Sequence, residues 1–111
     1  MRNYIYILKL DGDDKEYNYV TFSKLIDKLN EYCELNNIQK KITMNIIKNI
    51  FLGRTKNNYI FIKRLERIDR LDYAEKYLKE ELELRFPDYK TKELKIQKNY
   101  ITKILRRREI L

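Results

Sequence analysis

The sequence contains no histidine, one cysteine, one proline and only two glycines in 111 residues. Without histidine, His-based acid–base catalysis and histidine metal sites are excluded. The lone cysteine excludes an internal disulfide and a cysteine-cluster metal site. Two glycines exclude a glycine-rich phosphate-binding loop. No apolar run approaches the ~18 residues of a membrane span, and we expect no signal peptide and no cofactor.

The commonest residues are lysine, isoleucine, asparagine and tyrosine, with 16, 15, 10 and 10 copies. All four have A/T-rich codons, which favours an origin in an AT-rich genome such as that of a phage or a mobile element. We expect a cytoplasmic protein of a bacterial host cell, because a lone cysteine is typical of a reducing compartment. Cys33 follows a helical apolar pattern and is predicted to lie in the core.

Charge is distributed in blocks along the chain, which has a net charge of +8. The net charge is −2 over 1–35, +7 over 36–67, −3 over 68–89 and +6 over 90–111. No carboxylate occurs between Glu34 and Glu66. A solvated surface usually mixes both signs, so the two acid-poor blocks favour binding to a polyanion. The alternative is an ordinary surface enriched in lysine by codon bias.

Hydrophobic periodicity predicts a small single α+β domain of winged-helix-like form. Residues 1–67 are predicted to form one unit and 68–111 a helical extension of the same domain. The N-terminal unit is expected to contain strands 4–10 and 16–20 around a turn at 11–14, a helix from about 22 capped by Thr21 or Ser23, a helix over 39–52 ended by Gly53, and a strand over 59–65. The extension is expected to contain a helix from Asp69 to Phe86 and a helix over 92–108. Within that last range, Leu94 and Ile96 also fit a strand.

The two central helices, joined by a short turn, form a candidate helix-turn-helix. The second has an apolar back and a polar front, as a helix in the major groove requires. Lysine contacts phosphates, and asparagine can bond adenine at two points. The strand over 59–65 would be a wing or would close the sheet with the hairpin. The candidate nucleic-acid contacts are Lys40, Lys41, Asn45, Lys48, Asn49, Arg54, Lys56, Lys63, Arg64, Arg106, Arg107 and Arg108.

An alternative role for the aromatic residues is stacking on the bases of a single strand. The tyrosines that fall on predicted strands are Tyr4, Tyr6, Tyr17, Tyr19 and Tyr59. Aromatic residues are also frequent in strands for packing reasons alone, so both interpretations stay open.

The residues at 4–12, Phe22-Ser23, the isoleucine-rich segment 42–51, Gly53-Arg54 and 58–61 follow a familiar order. Together they resemble the small modular DNA-binding domain of intron-encoded homing nucleases, which runs hairpin, helix-turn-helix and closing strand. The resemblance covers residues 4–62. It implies that Lys41, Asn45, Lys48 and Arg54 face DNA. The segment between the helices, 32–41, is longer here, and the small-residue turn is missing.

A second resemblance concerns catalysis. Residues 4–7 followed by 17–20 resemble the paired strands of GIY-YIG nucleases. The glycines and histidine of that family are absent, and no arginine lies in the following helix. No other acid–base or nucleophilic group stands in a motif of recognisable spacing. We therefore expect a protein that is not an enzyme.

The sequence favours a small DNA-binding regulatory or accessory protein, with duplex DNA as the preferred partner and RNA as an alternative. No membrane is expected as a partner. A second hypothesis is a phage-encoded inhibitor of host defence, similar in role to anti-CRISPR proteins, that binds a nuclease or its guide RNA within a host protein–RNA complex. A third is a structural subunit that forms a homodimer through residues 92–111.

Overall fold

A computed structural model describes residues 4–85, 87 and 98–107. Over these ranges the chain forms a three-stranded antiparallel sheet and five helices, so the predicted α+β class is confirmed. The elements in chain order are β1 (Tyr4–Leu10), β2 (Glu16–Tyr19), α1 (Phe22–Leu35), α2 (Met44–Phe51), β3 (Ile62–Asp69), α3 (Arg70–Tyr77), α4 (Lys79–Arg85) and α5 (Lys98–Arg107).

The sheet has the strand order β2-β1-β3, with β1 in the centre. The hairpin of β1 and β2 turns at residues 11–14, where Gly12 takes a positive φ of 76° that suits glycine. Strand β3 returns antiparallel on the other side of β1, with Tyr6 opposite Arg67 and Leu8 opposite Leu65. The last described strand therefore closes the sheet with the hairpin and does not form a separate wing.

The alternation of side chains along β1 divides the interior into two cores. Ile5 and Ile7 pack on one face of the sheet with buried residues of α3, α4 and α5. Tyr6, Leu8 and Leu10 pack on the other face with buried residues of α1 and α2. We call these the aliphatic core and the aromatic core. A strand covered on both faces is apolar at nearly every position, which explains the continuous run YIYIL at its start.

The N-terminal elements follow the sequence prediction closely. Strand β1 has the predicted bounds, and α1 begins after Thr21, whose side-chain oxygen accepts a hydrogen bond from the Lys24 amide. The apolar face of α1 is buried at Leu25, Leu29 and Cys33. Cys33 is 2% exposed, and burial raises the pKa of its thiol, so its predicted place in the core is confirmed.

Three predicted elements differ from those in the structure. Helix α2 begins at Met44 and not at residue 39. Strand β3 runs from Ile62 to Asp69 and not over 59–65. The residues before it form a turn, in which the Asn57 side-chain oxygen accepts from the Tyr59 amide and the Ile62 amide donates to the Tyr59 carbonyl. The helix expected from Asp69 to Phe86 is two helices that meet at Leu78, although Asp69 does cap the first through the Leu71 amide.

The C-terminal prediction is only partly covered by the described residues. Helix α5 lies within the predicted range of 92–108, and Ile101, Ile104 and Leu105 are fully buried in the aliphatic core. Phe86, Leu94, Ile96 and Arg108 lie outside the described residues. None of the helices in the described part of the chain is long and apolar enough to cross a membrane.

A candidate nucleic-acid interface

The acid-free part of the sequence folds into three consecutive pieces: the linker 36–43, helix α2 and the loop 52–61. Five cations on these pieces are exposed, and within the described ranges none of them makes an ion pair or a cation–π contact. They are Lys40, Lys41, Lys48, Arg54 and Lys56. We call them the free cations. Their charge is available to an external anion.

The linker is fixed to α1 by one side chain. The Asn30 amide nitrogen donates to the Ile42 carbonyl at 3.0 Å, and its oxygen accepts from the Ile42 amide at 2.8 Å. The Ile42 amide is therefore not available for a bond within a helix, and the Ile42 side chain is buried. Lys40 and Lys41 therefore precede α2 and do not lie on it, which corrects the sequence prediction.

Helix α2 starts at the cap provided by Thr43, whose hydroxyl accepts from the Ile46 amide. Ile47 is buried in the aromatic core, while Asn45 and Lys48 are exposed one turn apart and Asn49 is half-buried. Met44 is 55% exposed and lies four residues before Lys48, so the outer face combines amide, ammonium and thioether groups. The predicted polar front of this helix is present.

The eight residues between α1 and α2 make the connection longer than the three- to four-residue turn of a standard helix-turn-helix. The short turn expected from the sequence was therefore wrong. The second helix is nevertheless packed against the sheet and against α1, with its apolar residues in the aromatic core. The two helices occur in the predicted order, but the connection between them is longer than the predicted turn.

The chain leaves α2 in a defined direction. Gly53 takes a φ of +72°, its amide bonds the Ile50 carbonyl, and the Arg54 amide bonds the Asn49 carbonyl at 2.9 Å. This pair of bonds is the Schellman motif, for which glycine is preferred because it lacks a Cβ. The predicted glycine cap is confirmed. The cap fixes the backbone of Arg54 just beyond the end of the helix.

The three cations of β3 differ from the free cations. Arg64 donates to Glu16 at 2.7 Å and to Glu66 at 2.9 Å. The hydrogen bond to Glu66 raises the pKa of Arg64, and the same bond lowers the pKa of Glu66. Lys63 lies 3.8 Å from an Asp11 oxygen, and the Arg67 guanidinium lies 4.6 Å from the centre of the Tyr4 ring. Arg64 in particular fastens β3 to β2 across the central strand.

The C-terminal arginines form a separate basic region. Arg106 and Arg107 are exposed on α5 and line a groove of about 480 Å³ with Arg85, Tyr100 and Lys103. Because α5 covers the aliphatic core and α2 the aromatic core, the two basic regions lie on opposite faces of the sheet. The structure does not bring them into one site. Arg108 lies outside the described residues.

Two residues that shape these surfaces were not predicted from the sequence. Asn30 is a polar residue one turn after Ile26, at the edge of the apolar face of α1, and such a position is where a half-buried amide can reach a neighbouring segment. Arg85 stands in the last turn of α4. Nothing in the sequence indicates that α4 and α5 meet at that point.

Fold and surface together define a class: a small α+β domain in which one helix and its two flanking segments carry unpaired positive charge. Comparison with protein-family models, with curated proteins and with solved structures gives no match.

Proposed function

We propose that this protein binds nucleic acid, with duplex DNA as its preferred partner, through α2, the linker 36–43 and the loop 52–61. The observation that carries the proposal is the set of five free cations in a stretch without a carboxylate. Elsewhere in the described chain several cations are neutralised by near neighbours, as Arg64 is by Glu16 and Glu66. Phosphate groups are the partners that an unpaired cluster of lysine and arginine binds most readily.

Helix α2 supplies the part of the interface that would read bases. Its eight residues make about two turns. An α-helix is about 10–12 Å in diameter with its side chains, which fits a B-DNA major groove about 12 Å wide. Asn45 would bond an adenine edge, and Lys48 would bond guanine or a phosphate. The cations of the linker and the loop would hold the backbone on either side of the helix. Regulation of a phage or mobile-element promoter is the role that we propose for such binding.

The test is fluorescence anisotropy with labelled duplex DNA, single-stranded DNA and structured RNA over a range of salt concentrations. Five phosphate contacts predict a log–log salt slope of about −4.5 on duplex. The double variant Lys41→Glu/Lys48→Glu should lose duplex binding, because two contacts become repulsive. The matched control is Lys24→Glu/Lys76→Glu, which changes net charge equally at exposed positions on α1 and α3.

Duplex affinity that falls in the first double variant and persists in the control would support the interface on α2. Equal losses in the two variants would mean that overall charge and not this surface controls binding. If the wild-type protein binds none of the three nucleic acids at physiological salt, the proposal is wrong. Circular dichroism of each variant checks that the fold is intact.

A further inference from the structure

A pocket of about 510 Å³ opens beside the free cations, between the end of α1, the linker and the loop before β3. Aromatic rings form its base. The Tyr32 and Phe61 rings stack at 5.4 Å with an angle of 22° between their planes, and the Tyr59 ring lies 5.5 Å from that of Phe61. Phe61 is 8% exposed, while both tyrosines are half-buried, so part of each tyrosine faces the pocket.

The aromatic base is held in place by hydrogen bonds around it. The Tyr32 hydroxyl donates to the Asp11 carbonyl at 2.8 Å, and the Asp11 amide donates to the Phe61 carbonyl at 2.8 Å. The turn at Asn57 fixes the backbone of Tyr59. A flat ligand entering here would therefore meet rings whose positions are set before it arrives, which lowers the entropic cost of binding.

The rim of the pocket is polar and mainly basic. Lys40 and Lys63 lie on its edge, with Asp11 beside Lys63. Asn58 is exposed on the same rim and offers both a donor and an acceptor. Ile60 is 87% exposed at the mouth. Aromatic walls with a few polar groups at the edge are typical of a small-ligand site, and a lysine-bearing rim favours an anionic one.

We propose that this pocket binds an unpaired base of a single nucleic-acid strand. The base would stack on Tyr59 against the Tyr32–Phe61 pair, its edge would bond Asn58, and its phosphates would contact the free cation Lys40. Lys40 belongs to both surfaces, so the pocket is continuous with the interface on α2. The inference rests on the proposed nucleic-acid binding and deepens it by naming a class of ligand.

The experiment compares binding of a short oligothymidylate with that of an equally long strand of abasic units, which has the same phosphates and no bases. Wild-type protein should bind oligothymidylate more tightly by about 5- to 150-fold, the range for one base stacked on an aromatic side chain. Tyr59→Leu should remove that difference, because leucine keeps the contact with Phe61 but has no ring. Tyr59→Phe should keep it.

Duplex binding is measured on the same samples, so that the two proposals fail separately. If both strands bind equally well to the wild-type protein and duplex still binds, the pocket proposal is overturned and the interface stands. The same conclusion follows if the base-dependent difference survives in Tyr59→Leu. Base-dependent binding without duplex binding supports the pocket and overturns the preference for duplex. Absence of all binding overturns both.

A second variant covers the case in which Tyr59→Leu does not fold. Ile60→Glu places a carboxylate at the mouth of the pocket, at a side chain so exposed that the core is untouched. It should weaken binding of oligothymidylate more than that of the abasic strand. Leu35→Glu is the matched control, since Leu35 is 73% exposed and does not line the pocket. Equal effects of the two substitutions would overturn the proposal.

Discussion

The two faces of the sheet are covered in different ways. The aliphatic core under α3, α4 and α5 is built mainly from isoleucine, leucine and alanine, with Tyr73 and Tyr100 as its aromatic residues in the described chain. The aromatic core under α1 and α2 includes or contacts nine aromatic residues, among them Tyr6, Phe22 and Phe51. Tyrosine combines an apolar ring with a polar edge. The aromatic core accordingly extends to the surface at the pocket lined by Tyr32, Tyr59 and Phe61.

The charges above the two cores also differ. Helices α3 and α4 mix signs, with Lys79 and Glu83 paired one turn apart. The linker, α2 and the loop after it carry the free cations and no carboxylate. Mixed charge is what a solvated surface needs for solubility, whereas unpaired charge of one sign is maintained against its own repulsion. Helix α5 also covers the aliphatic core but carries the separate basic region of Arg106 and Arg107. The contrast in charge is therefore between α3 and α4 on one face and the linker, α2 and the loop on the other.

The largest effect on stability should come from truncating a buried side chain of β1, the strand that both cores share. Ile7 and Leu8 are both 0% exposed and point to opposite faces. Ile7→Ala and Leu8→Ala should each lower the free energy of unfolding by about 2–5 kcal/mol. Because β1 belongs to both cores, each variant should unfold in one transition. Urea titrations followed by far-UV and by tyrosine near-UV circular dichroism measure this.

The milder substitution Ile7→Val, expected to lower the free energy by about 0.5–1.5 kcal/mol, is the control for packing at the same position. Non-coincident transitions in Ile7→Ala, with the aromatic signal lost at the wild-type urea concentration, would contradict a shared strand. They would mean that the aromatic core folds without the aliphatic one.

Local chemistry made much of the fold predictable. The run from Tyr4 to Leu10, the cap at Thr21 and the glycine at 53 each act through neighbours in sequence, and the structure has all three where they were expected. The early residues of the predicted second helix are compatible with a helix by propensity alone. They lie outside the helix because Asn30, twelve residues earlier, bonds Ile42. That contact is tertiary and leaves no local signal.

The same limit applies to the candidate site. The sequence places Arg64 among the basic residues but does not show that strand register brings Glu16 to it across β1. Likewise, Tyr32 and Phe61 stack because the end of α1 lies beside the loop that precedes β3. Neither proline nor glycine marks the break at Leu78. The apolar periodicity of the sequence continues through this residue, and it therefore predicted one helix. Pairings between distant segments decided each of these features.

A smaller effect should come from Arg64, the paired cation. Arg64→Met keeps the apolar stem and removes both ion pairs, so it should lower the free energy of unfolding by about 1 kcal/mol. Arg64 holds the pKa of Glu66 below its usual value, so its stabilisation is present above the unfolded-state pKa of about 4.3 and is lost as the pH falls through the lower folded-state value. The salt slope of DNA binding should stay unchanged.

Urea titrations at neutral pH and at about pH 3 measure the difference between Arg64→Met and the wild-type protein. The difference should shrink in acid, because protonated Glu66 no longer attracts the guanidinium. A difference that is equal at both pH values would contradict a contribution from the ionised Glu66.

The smallest effect on stability should come from Lys48, a free cation. Lys48→Met removes a charge that has no ion-pair partner among the described residues, so the free energy of unfolding should change by less than about 0.5 kcal/mol. The magnitude of the salt slope on duplex DNA should nevertheless fall by about 0.9, because one phosphate contact is lost.

Arg64→Met, which removes the same formal charge, is the matched control. Opposite responses of the two variants follow directly from pairing: a cation already neutralised stabilises the fold, and a cation left unpaired is available to the ligand. If the salt slopes of the two variants were equal, paired and unpaired cations would not differ in their contribution to DNA binding.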